Sequence, residues 1–162
     1  MMISKKMNAA LNKQIGNEIS SSHTYLAMSC CLDGMGLKVL AAHYRKQSEE
    51  ERTHALKIVD YVHDVGGSVI LDPIPKPKSE YATVRAIVKA SVDAELTVTA
   101  QINDLVAMSE KERDYATRTF LNWFVAEQVE EVSSMTELLQ WVTLAGEQNL
   151  LQVENRLAQA SA

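Results

Sequence analysis

Glu51-Arg52-Thr53-His54 sets a carboxylate and an imidazole three residues apart, a spacing that puts both on one face of a helix. Three more carboxylates occupy comparable positions. Tracing the apolar face of each periodic segment in steps of three and four gives Leu11, Ile15, Glu18, Ser22, Tyr25 in the first and Tyr44, Ser48, Glu51, Ala55, Ile58 in the second. It gives Ile87, Ser91, Glu95, Val98, Ile102 in the third and Phe124, Gln128, Glu131, Met135, Leu138 in the fourth. One glutamate on such a stripe is ordinarily an edge residue with its head in water. Four at similar depth in one low-dielectric core would repel and take up protons, a conflict that cations remove. Carboxylates with a little imidazole suit iron or manganese, and no thiolate is present among them to select zinc or copper(I).

Glu-x-x-His is also the motif of di-iron carboxylate bundles, which carry a second copy on the fourth helix. Here that place reads Gln128-Val129-Glu130-Glu131, with Gln for Glu and Glu for His. The second metal position is therefore weaker and less symmetrical, suited to iron that passes through. Glu127 and Glu130, on one flank of the fourth helix, and Glu50, beside Glu51, could hold a third, transient cation.

Four long helices must position these groups. They are expected from about Lys5 to Asp33, Leu37 to Val65, Tyr81 to Ser109 and Asp114 to Leu144, with a short fifth from about Gln148 to Ala158. Gly34 and Gly36 close the first, Gly66-Gly67 the second and Gly146 the fourth. All three prolines fall in Asp72-Pro73-Ile74-Pro75-Lys76-Pro77, an extended connector. At 1.5 Å per residue each long helix is roughly 42 Å. Tight turns make two antiparallel pairs, and the proline-rich link can run the length of a four-helix bundle as one long crossover. Residues 1–162 read as a single all-α domain without internal repeats.

Composition agrees. The chain has 6 Gly and 3 Pro in 162 residues, too few turn residues for a sandwich or barrel. Its net charge of -5, from 16 basic and 21 acidic side chains, argues against nucleic acid as a partner. No apolar run is long enough for a membrane span, and Asn8, Asn12, Lys13 and Gln14 interrupt any signal-peptide core. Cys30 and Cys31 are adjacent, which disfavours a disulfide between them, and they read as free thiols of a cytoplasmic protein. His23, His43 and His63 stand apart from the carboxylates and are assigned to the surface or to packing.

Over nearly its whole length the chain resembles a non-haem ferritin of the bacterial type, within the ferritin-like di-iron carboxylate superfamily. The residues that carry the resemblance are Asn17-Glu18 with Tyr25 seven later, Glu50-Glu51-x-x-His54, Glu95, and Phe120-Leu121-x-Trp123 leading into Glu127-Gln128-x-Glu130-Glu131. The resemblance implies a ferritin-like four-helix bundle and a ferroxidase that oxidises Fe(II) with O2 or H2O2 at an intrasubunit di-iron centre. It also implies storage of the Fe(III) as mineral in a hollow homo-oligomeric cage, usually of twenty-four subunits. Carried over, Glu18 and His54 hold the first iron, Glu51 bridges both, and Glu95 and Glu131 hold the second. Gln128 orients the oxygen species, Tyr25 supplies an electron, and Glu50, Glu127 and Glu130 form the third, transient iron site.

Two departures narrow this. Bacterioferritins carry a haem-ligating Met just after the bridging Glu; Arg52 stands there, so no haem is expected. Animal ferritins line a three-fold channel with acids ten and seven residues before the Gln, where this chain has Arg118 and Leu121. Two rival readings are a stand-alone di-iron oxidase or peroxidase of rubrerythrin-like type and a metal-free helical scaffold. The first needs a second Glu-x-x-His. The second predicts that losing Glu51 or Glu131 stabilises the fold and leaves oxygen consumption unaltered.

Overall fold

A computed structural model describes residues 2–160. Five helices follow one another: α1 (Lys5–Gly34), α2 (Lys38–Asp64), α3 (Val84–Glu112), α4 (Tyr115–Ala145) and α5 (Leu150–Ala160). Among the described residues there is no strand. The long helices pair as α1 with α2 and α3 with α4, α1 also packs on α3, and α5 rests on α2 and α4.

Side-chain caps start three of them. Ser4 Oγ accepts from the Met7 amide, Thr83 Oγ1 from Ala86, and Asp114 Oδ1 from Thr117, each satisfying a donor the first turn leaves free. The Thr83 cap corrects the expected start of the third helix from Tyr81 to Val84. Its end moves from Ser109 to Glu112, because the chain turns only at Arg113, which adopts the left-handed conformation at φ 56°. The fifth helix begins at Leu150 rather than Gln148, since residues 146–149 form a turn closed by the Asn149 amide on the Gly146 carbonyl at 3.2 Å. At the end of α2, Gly67 has no room for a side chain: a Cβ would lie 2.3 Å from Asn8 Oδ1. That close approach lets Asn8 and Asn12 of α1 hold the start of the crossover, through hydrogen bonds with the backbone of Ser68 and Ile70.

The core is split in two. One apolar cluster contains Met7, Leu11, Ile15, Ile58, Val98, Ile102, Leu121 and Phe124; the other contains Tyr25, Leu32, Leu40, Tyr44, Ile87, Val92, Met135 and Leu138. Going up α1, the chain passes from the first cluster through Glu18 to the second, and α4 runs the same way through Gln128 and Glu131. Helices α2 and α3 run oppositely, through Glu51 and Glu95. The crossover therefore joins opposite ends of the bundle, and each helix contributes to one buried polar layer between the clusters.

Helix α5 closes the far end with Val153 and Leu157 in the second cluster. Two glutamates orient it. Glu154 accepts from the Leu40 amide at 2.7 Å, capping α2, whose own N-cap residue Leu37 has no side chain able to do so. Glu147 accepts from the amides of Val84 and Arg85 at 3.2 and 3.0 Å. Both carboxylates sit at the positive end of a helix dipole.

Candidate metal centre

Glu18, Glu51 and Glu95 are 1% exposed, His54 4% and Glu131 7%, so the stripe carboxylates lie inside the bundle rather than along its edge. Ligand atoms of Glu18, Glu51 and His54 converge within 4.8 Å of one another, and a second convergence joins His54, Glu127 and Glu131 within the same limit. His54 belongs to both. Its Nδ1 lies 3.7 Å from Glu51 Oε2 and its Nε2 3.9 Å from Glu127 Oε1. The imidazole packs edge-on against Trp123 and Phe124, with Lys57 Nζ 4.4 Å over the Trp123 ring.

Glu95 stands outside both convergences. Its Oε1 accepts a hydrogen bond from the Tyr25 hydroxyl, and its Oε2 accepts one from Gln128 Nε2 at 3.2 Å. Gln128 also reaches the Glu95 carbonyl and Thr99 Oγ1. Tyr25 and Gln128 thus both act on Glu95 in this arrangement. Of the three flanking glutamates, only Glu127 turns to the centre. Glu50 pairs with Lys46 at 3.2 Å, and Glu130 is exposed; neither joins a convergence among the described residues.

Two buried glutamines also touch the centre, and the apolar stripes of α1 and α2 include neither. Gln14 Nε2 donates to Glu18 Oε1 at 2.7 Å, and Gln47 Nε2 donates to Glu131 Oε2 at 2.8 Å. Each lies four residues, one helical turn, before a stripe glutamate. A buried amide at that spacing was the available signal, although Gln47 serves a carboxylate on another helix.

The electrostatics follow from burial. Removal from water, then the neighbouring Glu51, pushes the Glu18 carboxyl well above the ordinary carboxylate range. Burial raises Glu51 to about 8, contact with the Glu18 carboxyl works against that, and Glu95 and Glu131 push the same way as burial. Burial and then Glu95 raise Glu131 to about 7, with Gln47 opposing. Burial, followed by Glu95, also lifts Tyr25 well above the ordinary phenol value. Glu18 Oε2 and Glu51 Oε2 are the buried side-chain atoms without a hydrogen-bond partner among the described residues. Ionised carboxylates left so cost several kcal/mol unless a proton or a cation joins them.

A family of ferritin-like domains matches residues 8–145. A bacterial non-haem ferritin of Staphylococcus epidermidis is 39% identical over 90% of this chain and 88% of its own length. The corresponding protein of Staphylococcus aureus is 34% identical over the same shares. The chain belongs to the ferritin family.

Among solved structures, an open-pore ferritin from the hyperthermophilic archaeon Archaeoglobus fulgidus superposes with a TM-score of 0.94 at 40% identity over 96% of each chain. A humanised archaeal ferritin reaches 0.93 at 41% identity over the same shares. The ferritin-like bundle expected from the carboxylate stripes and the single crossover is therefore the fold of this ferritin, with carboxylate and imidazole groups able to bind metal at its middle.

Proposed function

We propose that this ferritin oxidises Fe(II) with O2 at the polar layer of each bundle and stores the Fe(III) as mineral inside a cage of twenty-four copies. The observation that carries this is the pair of bare, buried oxygens on Glu18 and Glu51 beside His54. Oxygen-rich donors with one imidazole fit iron, and the cation would supply the charge the layer lacks. Glu18 and His54 would hold the first ion, Glu51 would bridge, and Glu95 and Glu131 would hold the second. Each of two ferrous ions gives up one electron, and O2 takes two electrons and two protons, yielding two ferric ions and hydrogen peroxide.

The chain's own residues do the rest. The carboxylates neutralise incoming charge and release any proton they hold as they do so, which ties occupancy to pH. Gln128 and Tyr25 restrain Glu95, so the second position is the more loosely made. Glu127, with its side chain 31% exposed and near His54 Nε2, is suited to pass ions between solvent and centre. Glu50 and Glu130 would join it in a transient third site once they turn inward. No haem is proposed, since Arg52 stands where a methionine ligand is needed. No described helix is long and apolar enough to cross a membrane, and we place the protein in the cytoplasm on its free cysteines.

The test is anaerobic Fe(II) loading followed by O2, read by absorbance, with size exclusion on the same sample. Rapid oxidation by a cage-sized particle is expected. A monomer that oxidises Fe(II) no faster than buffer would sink the proposal. Exchanging Glu130→Ala is expected to slow steady turnover more than the first oxidation.

A further inference from the structure

We infer that Gln14 and Gln47 are positioning residues, each governing one metal position by tying up one oxygen of a single carboxylate. This rests on the di-iron reading above. Gln14 is 2% exposed and Gln47 6%, so neither amide has solvent as an alternative partner. Both spend an N–H on a carboxyl oxygen at short range, at 2.7 Å to Glu18 Oε1 and 2.8 Å to Glu131 Oε2. Once a cation draws off the proton, a hydrogen bond to the ionised oxygen is roughly twice as strong as a neutral one, so these contacts set carboxylate rotation in the loaded site.

The Gln14 amide is itself oriented. Asn17 Nδ2 donates to Gln14 Oε1 at 3.2 Å, which leaves Nε2 facing Glu18. With Glu18 Oε1 occupied, its other oxygen, Oε2, is the one left bare. The same logic in the other convergence leaves Glu131 one oxygen free of Gln47. Each clamped carboxylate thus offers a cation one oxygen at a set angle, and the two amides act in different convergences, Gln14 on Glu18 and Gln47 on Glu131. Glu51, between them, keeps a bare oxygen of its own. Loss of one amide should therefore weaken one position and leave the other as it was. A general packing defect would not divide in that way.

The test titrates the metal-free cage with Co(II), which does not turn over with O2 in this role, and follows both calorimetry and the visible absorption band of the bound ion. Wild type is expected to take two Co(II) per chain at distinguishable affinities. Gln47→Leu should weaken the Glu131 side about tenfold and spare the other; Gln14→Leu should do the reverse at the Glu18 side. Gln47→Glu, which keeps the shape but presents an acceptor to an acceptor, should be at least as damaging as Gln47→Leu. Cage size and thermal midpoint establish that each variant folds. Failure of wild type to bind two ions would undo the di-iron reading itself. Two normal sites in wild type with unchanged affinities in both leucine variants, or equal weakening of both sites in each, would overturn the positioning role alone.

Discussion

Two polar layers cross the same core a turn or so apart, and they are finished differently. In the hydroxyl layer, Ser22 and Ser48 exchange hydrogen bonds, each Oγ donating to the other's carbonyl at 2.7 Å. The Tyr44 hydroxyl meets Ser91 Oγ at 2.9 Å, and Ser91 also reaches the Ile87 carbonyl. That layer closes on itself. The carboxylate layer does not, because Glu18 and Glu51 each present an oxygen that no protein donor reaches. Polarity alone does not mark a site in a core. Incomplete satisfaction does, since a closed network rigidifies a fold while an open one costs stability until something fills it.

The largest expected effect comes from closing the open layer by substitution. Glu51→Gln replaces a buried ionisable carboxyl with a neutral amide and places an N–H beside the bare Glu18 oxygen. The metal-free protein should gain about 1–3 kcal/mol in chemical denaturation, while Fe(II) oxidation falls more than about 100-fold. A stabilised variant with an unchanged oxidation rate would make the carboxylate layer as structural as the hydroxyl one.

pH separates the layers without mutation. Folded Glu51 holds its proton up to about pH 8 and folded Glu131 up to about 7, against an ordinary value of 4.5. Between those limits the native state binds more protons than the unfolded chain, so stability falls as pH rises. The contribution is complete below about pH 4.5 and lost on passing 7 to 8, on the order of a few kcal/mol for the metal-free protein. Denaturation at pH 5.5 and 8.5 should show the drop, and saturation with a redox-inert divalent ion should remove most of it. A drop of equal size with the metal bound would place its origin outside the carboxylate layer.

Tyr25 links the layers: its hydroxyl reaches Glu95, and its ring lies 5.8 Å from that of Tyr44. Tyr25→Phe should free one Glu95 oxygen and slow Fe(II) oxidation about tenfold, with Co(II) stoichiometry unaltered. An unchanged rate would assign Tyr25 to packing.

How much of this was legible depended on whether a residue's role is local to its helix. Glu18, Glu51, Glu95 and Glu131 announced themselves because a stripe of 3.6 periodicity converts spacing into burial. The crossover was legible in its clustered prolines. Pairings between helices were not. Gln47 serves Glu131, 84 positions away, and Tyr25 serves Glu95, 70 away, distances over which no periodicity speaks. Nor could the flank of α4 say that Glu127 faces His54 while Glu130 faces out, since a step of three residues, about 60° around the helix, decides between them. The end of α3 falls at Glu112 and not Ser109 for a local reason, because Arg113 takes a left-handed turn more usual for glycine.

The smallest effect belongs to the closed layer and is the control for the others. Tyr44→Phe removes one hydroxyl from a buried pair but keeps the ring against Tyr25. Ser91 loses a partner yet retains the Ile87 carbonyl, so no buried donor is stranded. The cost should be about 1 kcal/mol, that of one neutral hydrogen bond with the remaining partner still satisfied. Fe(II) oxidation and Co(II) binding should match wild type, because among the described residues Tyr44 hydrogen-bonds to Ser91 and to no carboxylate. Measuring denaturation and oxidation on the same preparation decides it. A loss of rate comparable to that of Tyr25→Phe would mean that the two layers act as one unit, with the hydroxyl layer setting the position of Glu95 through ring packing.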